Sequence, residues 1–413
     1  MKSNPVELGL LYGEKNVPAQ RERWQKLTAR FHDLFPAQDA PRFFSAPGRT
    51  EISGNHTDHQ NGRVLAASVN LDTIAAAREN GTNTVRIYSE GYAPFSVEIQ
   101  NLSPRNEEVG TTAGIVRGCA ANLRENGFRT GGFDAVISSS VLSGSGLSSS
   151  AAFEILINKI FACLFNAGDM DAALSARMAQ KSENDYFGKP SGLMDQMASS
   201  VGGMVEIDFE KPQAQIDALS YDFAAKGYEL AIVGTGSSHE DLTDAYAAIP
   251  KEMKDVARCF GQEKLRAVKP EAFFMLLPKL YGKVSDRALL RAMHFFDENE
   301  RVPKQAQALR DDRLDDFLKL VIESGESSWK LLQNVVASES QQSLAIALEL
   351  SRRMLSECGG AWRVHGGGFA GTILAFVPQE KMAEYRARMD AVFGEGACVP
   401  LQIRPVGAVE VKL

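Results

Sequence analysis

Residues 143–154 read SGSGLSSSAAFE; nine of the twelve are Gly, Ser or Ala, and the chain runs straight on into the apolar stretch ILINKIFACLF. Small residues let a backbone come close to a ligand. A helix N-terminus offers unpaired N–H groups and a partial positive charge. Together they point to a bound anion, most often a phosphate. Other loops of similar composition do not fit. A GxxxxGK[ST] loop needs a lysine that is missing here, and a GxGxxG fingerprint has Ser149 where its third glycine belongs. A GxSxG elbow fails at Ser150. The HGGG at 365–368 has the composition of an esterase oxyanion loop but lies downstream of every serine candidate, the wrong order for that class. A flexible linker is disfavoured by the apolar helix that starts at once from Ala151. His56 and His59 flank Asp58 and raise a metal site, but no third ligand cluster accompanies them.

The elements that must position this loop are read from periodicity. The chain has 413 residues, 44% hydrophobic and 23% charged, with 52 acidic against 45 basic residues and a net charge of −7. This is an ordinary globular composition of a length for two or three domains. A mildly acidic chain argues against nucleic-acid and anionic-membrane partners, so any phosphate should be gripped locally. The N-terminus lacks the apolar core of a leader and no stretch approaches a membrane span, so no membrane association is expected. Five scattered cysteines without a CxxC read as thiols in a reducing, cytoplasmic setting. A helix is expected over 18–34, with Trp24, Leu27, Phe31 and Leu34 on one face. The stretch 64–77 is β-rich at its start and ambiguous at its alanines. TVRIYSE and FSVEIQ form a hairpin about GYAP. Strands follow at 132–140, 202–209, 228–236 and 371–378, and helices at 151–166, 170–187, through most of 240–357, and at 379–393. The charged, weakly patterned 210–219 is the natural boundary between domains 1–210 and 211–413. The mixture without strict alternation is α+β.

Three stretches together, APGRTEISGNHTDHQNGRVLAASV (46–69), VLSGSGLSSSAAFE (141–154) and RVHGGGFAGTILAFV (363–377), resemble the galactokinase branch of the GHMP small-molecule kinases. SENDYFGKPSGLMDQMASSVGG (182–203) and SSHEDLTDAY (237–246) resemble two further segments of that branch, in the same order. The resemblance implies an N-terminal domain related to ribosomal protein S5 domain 2, a ferredoxin-like C-terminal domain, and an active site between them. It implies ATP-dependent phosphorylation of a sugar at its C1 hydroxyl, with Mg²⁺. Residues Ser143, Gly144, Ser145, Gly146, Leu147, Ser148, Ser149 and Ser150 would wrap the ATP phosphates, with Ser150 and Glu183 as Mg²⁺ ligands. Asp195 would be the base and Arg49 its partner. Asn55, His56, Asp58, the backbone at Gly192, and Tyr246 would bind the sugar. The GGGF at 366–369 would allow close backbone approach near phosphate or sugar. The expected protein is a cytoplasmic monomer whose only partner is a small-molecule sugar.

The chain departs from the pattern in places. GNHTDH stands where galactokinases read GEHTDY, so Asn55 replaces a glutamate that accepts from the sugar 6-hydroxyl, and His59 replaces a tyrosine. Ser191 stands for the usual cysteine, and two basic residues after Tyr246 are missing. An amide can donate as well as accept, so Asn55 would tolerate a 6-carboxylate, and DHQ is similar to plant galacturonate kinases. Galactose is the first expectation and galacturonate the second. Arabinose and N-acetylgalactosamine lack specific support. A non-catalytic sugar and ATP sensor is the reading from another class, and it predicts loss of Asp195, Arg49 or the Ser-rich loop, all of which are present.

Overall fold

The computed structural model describes residues 5–36, 39–141, 146–189, 191–236, 243–336, 338–369 and 371–413. Its strands are β1 (Val6–Glu7), β2 (Arg42–Ser53), β3 (Arg63–Glu79), β4 (Thr84–Ser89), β5 (Phe95–Glu98), β6 (Phe133–Ser139), β7 (Met204–Asp208), β8 (Gln215–Leu219), β9 (Tyr228–Gly234), β10 (Ala361–His365), β11 (Thr372–Pro378), β12 (Cys398–Leu401) and β13 (Val409–Lys412). They make two sheets. The larger runs β1-β13-β2-β3-β6-β4-β5, and β7 pairs with the first half of β3 and with β8. The smaller is antiparallel in the order β10-β11-β9-β12. This is the expected α+β class.

The 17-residue β3 is the spine of the larger sheet. Its alanines, ambiguous in sequence, are fully buried; among them Ala66, Ala67, Ala75, Ala76 and Ala77 have no exposure. Side chains this small let elements on both faces of the sheet come close, so β3 lacks the alternation of a half-exposed strand. The helices Thr112–Glu125, Ser149–Phe165, Ala172–Ser182 and Met194–Val201 cover one face through Ile115, Val116, Leu156, Ile160, Phe161 and Met197. The helix Val17–Leu34 covers the other through Trp24, Leu27 and Phe31, the face expected from its spacing. Helices Ser343–Leu355 and Gln379–Phe393 back the smaller sheet. A further apolar cluster, with Ile52, Leu65 and Leu147 on one side and Ile232, Leu374 and Phe376 on the other, joins the sheets.

One expectation needs correcting. Residues 215–219 are strand β8, not irregular chain. β8 is an edge strand with mostly exposed side chains, so it carries polar residues and loses its apolar signal. The segment 42–53, which contains Pro47, Gly48 and Arg49, is β2, buried along nearly its whole length. Among the described residues no helix is long and apolar enough to cross a membrane.

Candidate active site

The site assembles around Arg49. The pairing of β2 with β3 shifts register between Pro47 and Arg49 and again between Glu51 and Ser53. Such irregularities re-aim side chains. Arg49, 7% exposed, reaches across to Asp195 in the first turn of the helix Met194–Val201. The pair is bidentate: Nε donates to Oδ1 at 2.7 Å and Nη2 to Oδ2 at 2.6 Å. Fork geometry of this kind fixes both groups. Ser199 Oγ donates to the Pro47 carbonyl at 2.7 Å and ties that helix to β2. Burial alone would raise the Asp195 carboxyl. The charge and hydrogen bonds of Arg49, a hydrogen bond from Ser148 and the charge of Lys189 outweigh it, and the group is held below the usual carboxylate range. Asp195 nevertheless keeps 29% exposure, so a substrate can reach it.

Residues 143–145 of the Gly/Ser loop lie outside the described residues. The rest is docked onto this pair. Arg49 donates from Nη1 to the Gly146 carbonyl, and its backbone N–H donates to the Leu147 carbonyl at 3.0 Å. Leu147 is fully buried, so only its backbone faces a ligand. Ser148 adopts left-handed backbone at φ 58°, and the helix starts at Ser149, aiming its first N–H groups into the loop. Gly146 is also left-handed, at φ 71°, and a Cβ there would come within 2.8 Å of His365 Nδ1. His365 and Gly366 thereby back the Gly/Ser loop at Gly146. His365 Nε2 accepts the Glu51 N–H at 3.1 Å, and burial, then the nearby Arg49 and Arg363, keep the ring neutral.

The expected sugar residues converge on the same turn. A Cβ on Gly192 would fall 1.8 Å from Asp58 Oδ2, so these two segments touch. His56, left-handed at φ 60°, places Nε2 3.0 Å from the Gly367 carbonyl, and burial pushes its pKa down to about 3. The Tyr246 hydroxyl donates to the Gly368 carbonyl at 2.6 Å, its ring lies over Gly367, and burial raises the phenol to about 12. The turn is thus bound by the residues around it.

Asn55 is placed differently from the expectation. It is fully buried, and all its amide positions are committed. Nδ2 donates to Glu51 Oε1 at 2.8 Å and to the Gly366 carbonyl at 2.7 Å. Oδ1 accepts from Asn334 Nδ2 at 2.7 Å and Ser328 Oγ at 3.2 Å. Its carbonyl sits 2.9 Å from His294 Nε2. Below it, Glu298 accepts from the Gly54 N–H at 2.9 Å and from Ser53 Oγ at 2.8 Å. Glu51, His294, Glu298, Asn334 and Arg363 were not legible as site residues. Only Glu51 carried a signal, since it lies two positions past Arg49, on the same face of a strand.

Glu183 begins a π-turn, Glu183–Phe187, that continues the helix Ala172–Ser182, a local irregularity common at functional sites. Its Oε1 is 2.9 Å from Lys189 Nζ, and its Oε2 accepts from Gln196 Nε2 at 2.9 Å. Gln196 also donates to Glu154, which burial, then the Glu183 charge, keeps well above its usual range. A hard cation suits Glu183 and the exposed Ser150, because Mg²⁺ takes few protein oxygens and completes its shell with phosphate and water. The Lys189 ammonium beside Glu183 shows that this carboxylate already attracts a cation. Among the described residues no group of three His, Cys, Asp or Glu side chains could form a closed metal cage.

Residues 29–79 match the galactokinase galactose-binding signature, and residues 114–203 match the N-terminal domain of GHMP kinases. The chain is 30% identical over 371 residues to a galactokinase of Clostridium tetani, covering 88% of this chain and 91% of that one. It is 31% identical over 350 residues to a galactokinase of Actinobacillus pleuropneumoniae, covering 83% and 86%. It also superposes on the Lactococcus lactis galactokinase solved with galactose, with a TM-score of 0.82 at 24% identity, covering 94% of this chain and all of that one. The mevalonate kinase of Methanococcus jannaschii follows with a TM-score of 0.64 at 16% identity, covering 89% and 99%. The structural likenesses establish the fold of GHMP kinases.

Proposed function

The chain belongs to the galactokinase family, and from that premise we propose that it transfers the γ-phosphoryl group of ATP to the C1 hydroxyl of galactose. The observation that carries the chemistry is the bidentate Arg49–Asp195 pair seated against the Gly146 carbonyl. The C1 oxygen attacks the γ-phosphorus, the bond from that phosphorus to the β–γ bridging oxygen breaks, and ADP leaves. Asp195 takes the C1 proton. A base must be ionised to do so, and Arg49 holds it ionised. Arg49 also offsets charge on the attacking oxygen. The N–H groups of residues 146–148 and of the helix from Ser149 would face the phosphates. Glu183 and Ser150 would hold Mg²⁺, which neutralises phosphate charge when bound. His56, Asp58, the backbone at Gly192, and Tyr246 position the sugar.

Galacturonate loses its chemical support. Beside the DHQ likeness it rested on a free amide at Asn55, and that amide is wholly engaged within the protein. We further propose that the chain divides near residue 210, with β8 and β13 from beyond that point completing the first sheet, and that it works as a cytoplasmic monomer. One chain supplies every residue of the site, and its five cysteines are free thiols.

The test is ADP release by purified protein with ATP and Mg²⁺ against galactose, galacturonate, arabinose, N-acetylgalactosamine and glucose. Galactose should be preferred. Silence on every sugar with ATP still bound would make the chain a sensor.

A further inference from the structure

Glu51 is a buried acid at the sugar end of the site that the chemistry above leaves unused. It stands two residues past Arg49, on the same face of β2. Its side chain is 4% exposed. One oxygen, Oε1, accepts from Asn55 Nδ2 at 2.8 Å and from Arg363 Nη2 at 2.9 Å. The other, Oε2, has no partner among the described residues, and it is not one of the side-chain atoms sealed into packed protein. A carboxylate oxygen open to the site in this way can accept a hydrogen bond from a ligand hydroxyl in place of water. The surroundings place it among the site's charges. Burial pushes Glu51 up to about 7, Arg363 and Arg49 pull it back, and Asp58 adds to the rise.

The resemblance to galactokinases leads one to expect a carboxylate at position 55, accepting from the sugar 6-hydroxyl. Here position 55 is an amide, and its Nδ2 is bonded to a carboxylate from position 51. The acid is therefore present in the same buried pair, earlier in the chain on strand β2.

We propose that Glu51 is a sugar-specificity residue whose Oε2 accepts a hydrogen bond from the 6-hydroxyl of galactose, and whose charge excludes sugars carrying a 6-carboxylate. The proposal rests on the galactokinase reading above. It differs from an ordinary structural ion pair in one respect: its effect depends on a single substrate oxygen.

The experiment, run at about pH 8 so that Glu51 is ionised, compares wild type and Glu51→Gln on galactose, 6-deoxygalactose and galacturonate, recording kcat and KM separately. An amide can still accept through one atom but forfeits the charge-assisted bond, and such bonds are worth about 10- to 100-fold in affinity. Glu51→Gln should raise KM for galactose by about that factor, leave kcat within about threefold, and leave KM for 6-deoxygalactose unchanged. It should also admit galacturonate. An equal rise for galactose and 6-deoxygalactose, or no rise for either, overturns the assignment. Should Glu51→Gln fail to fold because Arg363 is stranded, Glu51→Asp keeps the ion pair and withdraws Oε2 by one methylene. The same selective rise is then expected, and a uniform or absent rise overturns the proposal. Wild-type protein that leaves galactose untouched overturns the functional reading itself; wild-type protein active on galactose with an indifferent Glu51→Gln overturns only the role of Glu51.

Discussion

Asp195 and Arg49 are in contact through both oxygens and two guanidinium nitrogens, so an exchange of Asp195 for Asn keeps the shape and removes the base. Turnover with galactose should fall by about 100-fold or more, the usual contribution of a positioned base. ATP affinity should stay within a few-fold, because the loop N–H groups are untouched. Phosphoryl transfer and nucleotide binding, measured separately on Asp195→Asn, decide this, and unimpaired transfer removes Asp195 from the mechanism. Asn55 behaves differently from what its sequence position suggests. Asn55→Glu would set a second carboxylate against Glu51 Oε1 and the Gly366 carbonyl, both within 2.8 Å of the present amide nitrogen. A buried, uncompensated charge costs about 3 kcal/mol or more. The variant should therefore unfold at lower temperature without gaining galactose activity, and adding Glu51→Gln should recover part of the loss. Thermal melts of the single and double variants test both statements.

At the scale of elements, the site is held by turns that need glycine for two distinct reasons. Gly146 is left-handed at φ 71° and its Cβ would strike Thr372 Oγ1 at 2.7 Å and His365 Nδ1 at 2.8 Å. Both obstacles are rigidly packed, so Gly146→Ala must shift the phosphate loop, and KM for ATP should rise by more than about tenfold, equal to 1.4 kcal/mol, within the cost of backbone strain. Gly192 meets only the tip of the Asp58 side chain, at 1.8 Å. That tip can swing away, so Gly192→Ala should fold normally and raise KM for galactose while KM for ATP stays nearly unchanged. Steady-state kinetics on the two variants should show opposite selectivity; identical effects would mean that the two turns do not serve separate substrates.

For the whole molecule, the buried ionisable groups predict how stability follows pH. His56, His294 and His365 are held below their ordinary value, chiefly by burial. Each stays neutral in the folded state while the unfolded chain takes up a proton below about pH 6.5, so each loses stability as pH falls. Glu51 and Glu154 are held above their ordinary value, chiefly by burial. They bind protons folded that they release unfolded, so they gain stability as pH falls toward about 4.5 and offset two of the histidines. The three histidines outnumber these two acids, so a net loss of stability is expected as pH falls from about 6.5 toward 4.5. Below about pH 4, Asp72 and Asp195 add to the loss, since their carboxyls are held down against burial by their arginine partners. Melting temperatures from pH 7 to 4.5 should decline, and Glu51→Gln, which removes one offset, should decline more steeply. A flat profile would show that these histidines titrate when folded.

The sequence by itself determined what depends on local order. The helix from Ser149 follows from an apolar run behind small residues, the helix Val17–Leu34 from its 3.6-residue stripe, and the hairpin β4–β5 from alternation around GYAP. The motifs holding Arg49, Asp58, Asp195 and HGGG were legible because close backbone approach leaves few choices of residue. Tertiary structure alone decided the rest. β8 is a mostly exposed edge strand and β13 is only 4 residues long, so only pairing reveals them. Whether Asn55 faces a sugar or the protein depends on Gly366, Ser328 and Asn334, hundreds of residues away in the chain. Burial and hydrogen-bond partners are properties of the assembled core, and no local pattern encodes which of two neighbouring residues, Glu51 or Asn55, will keep an open oxygen.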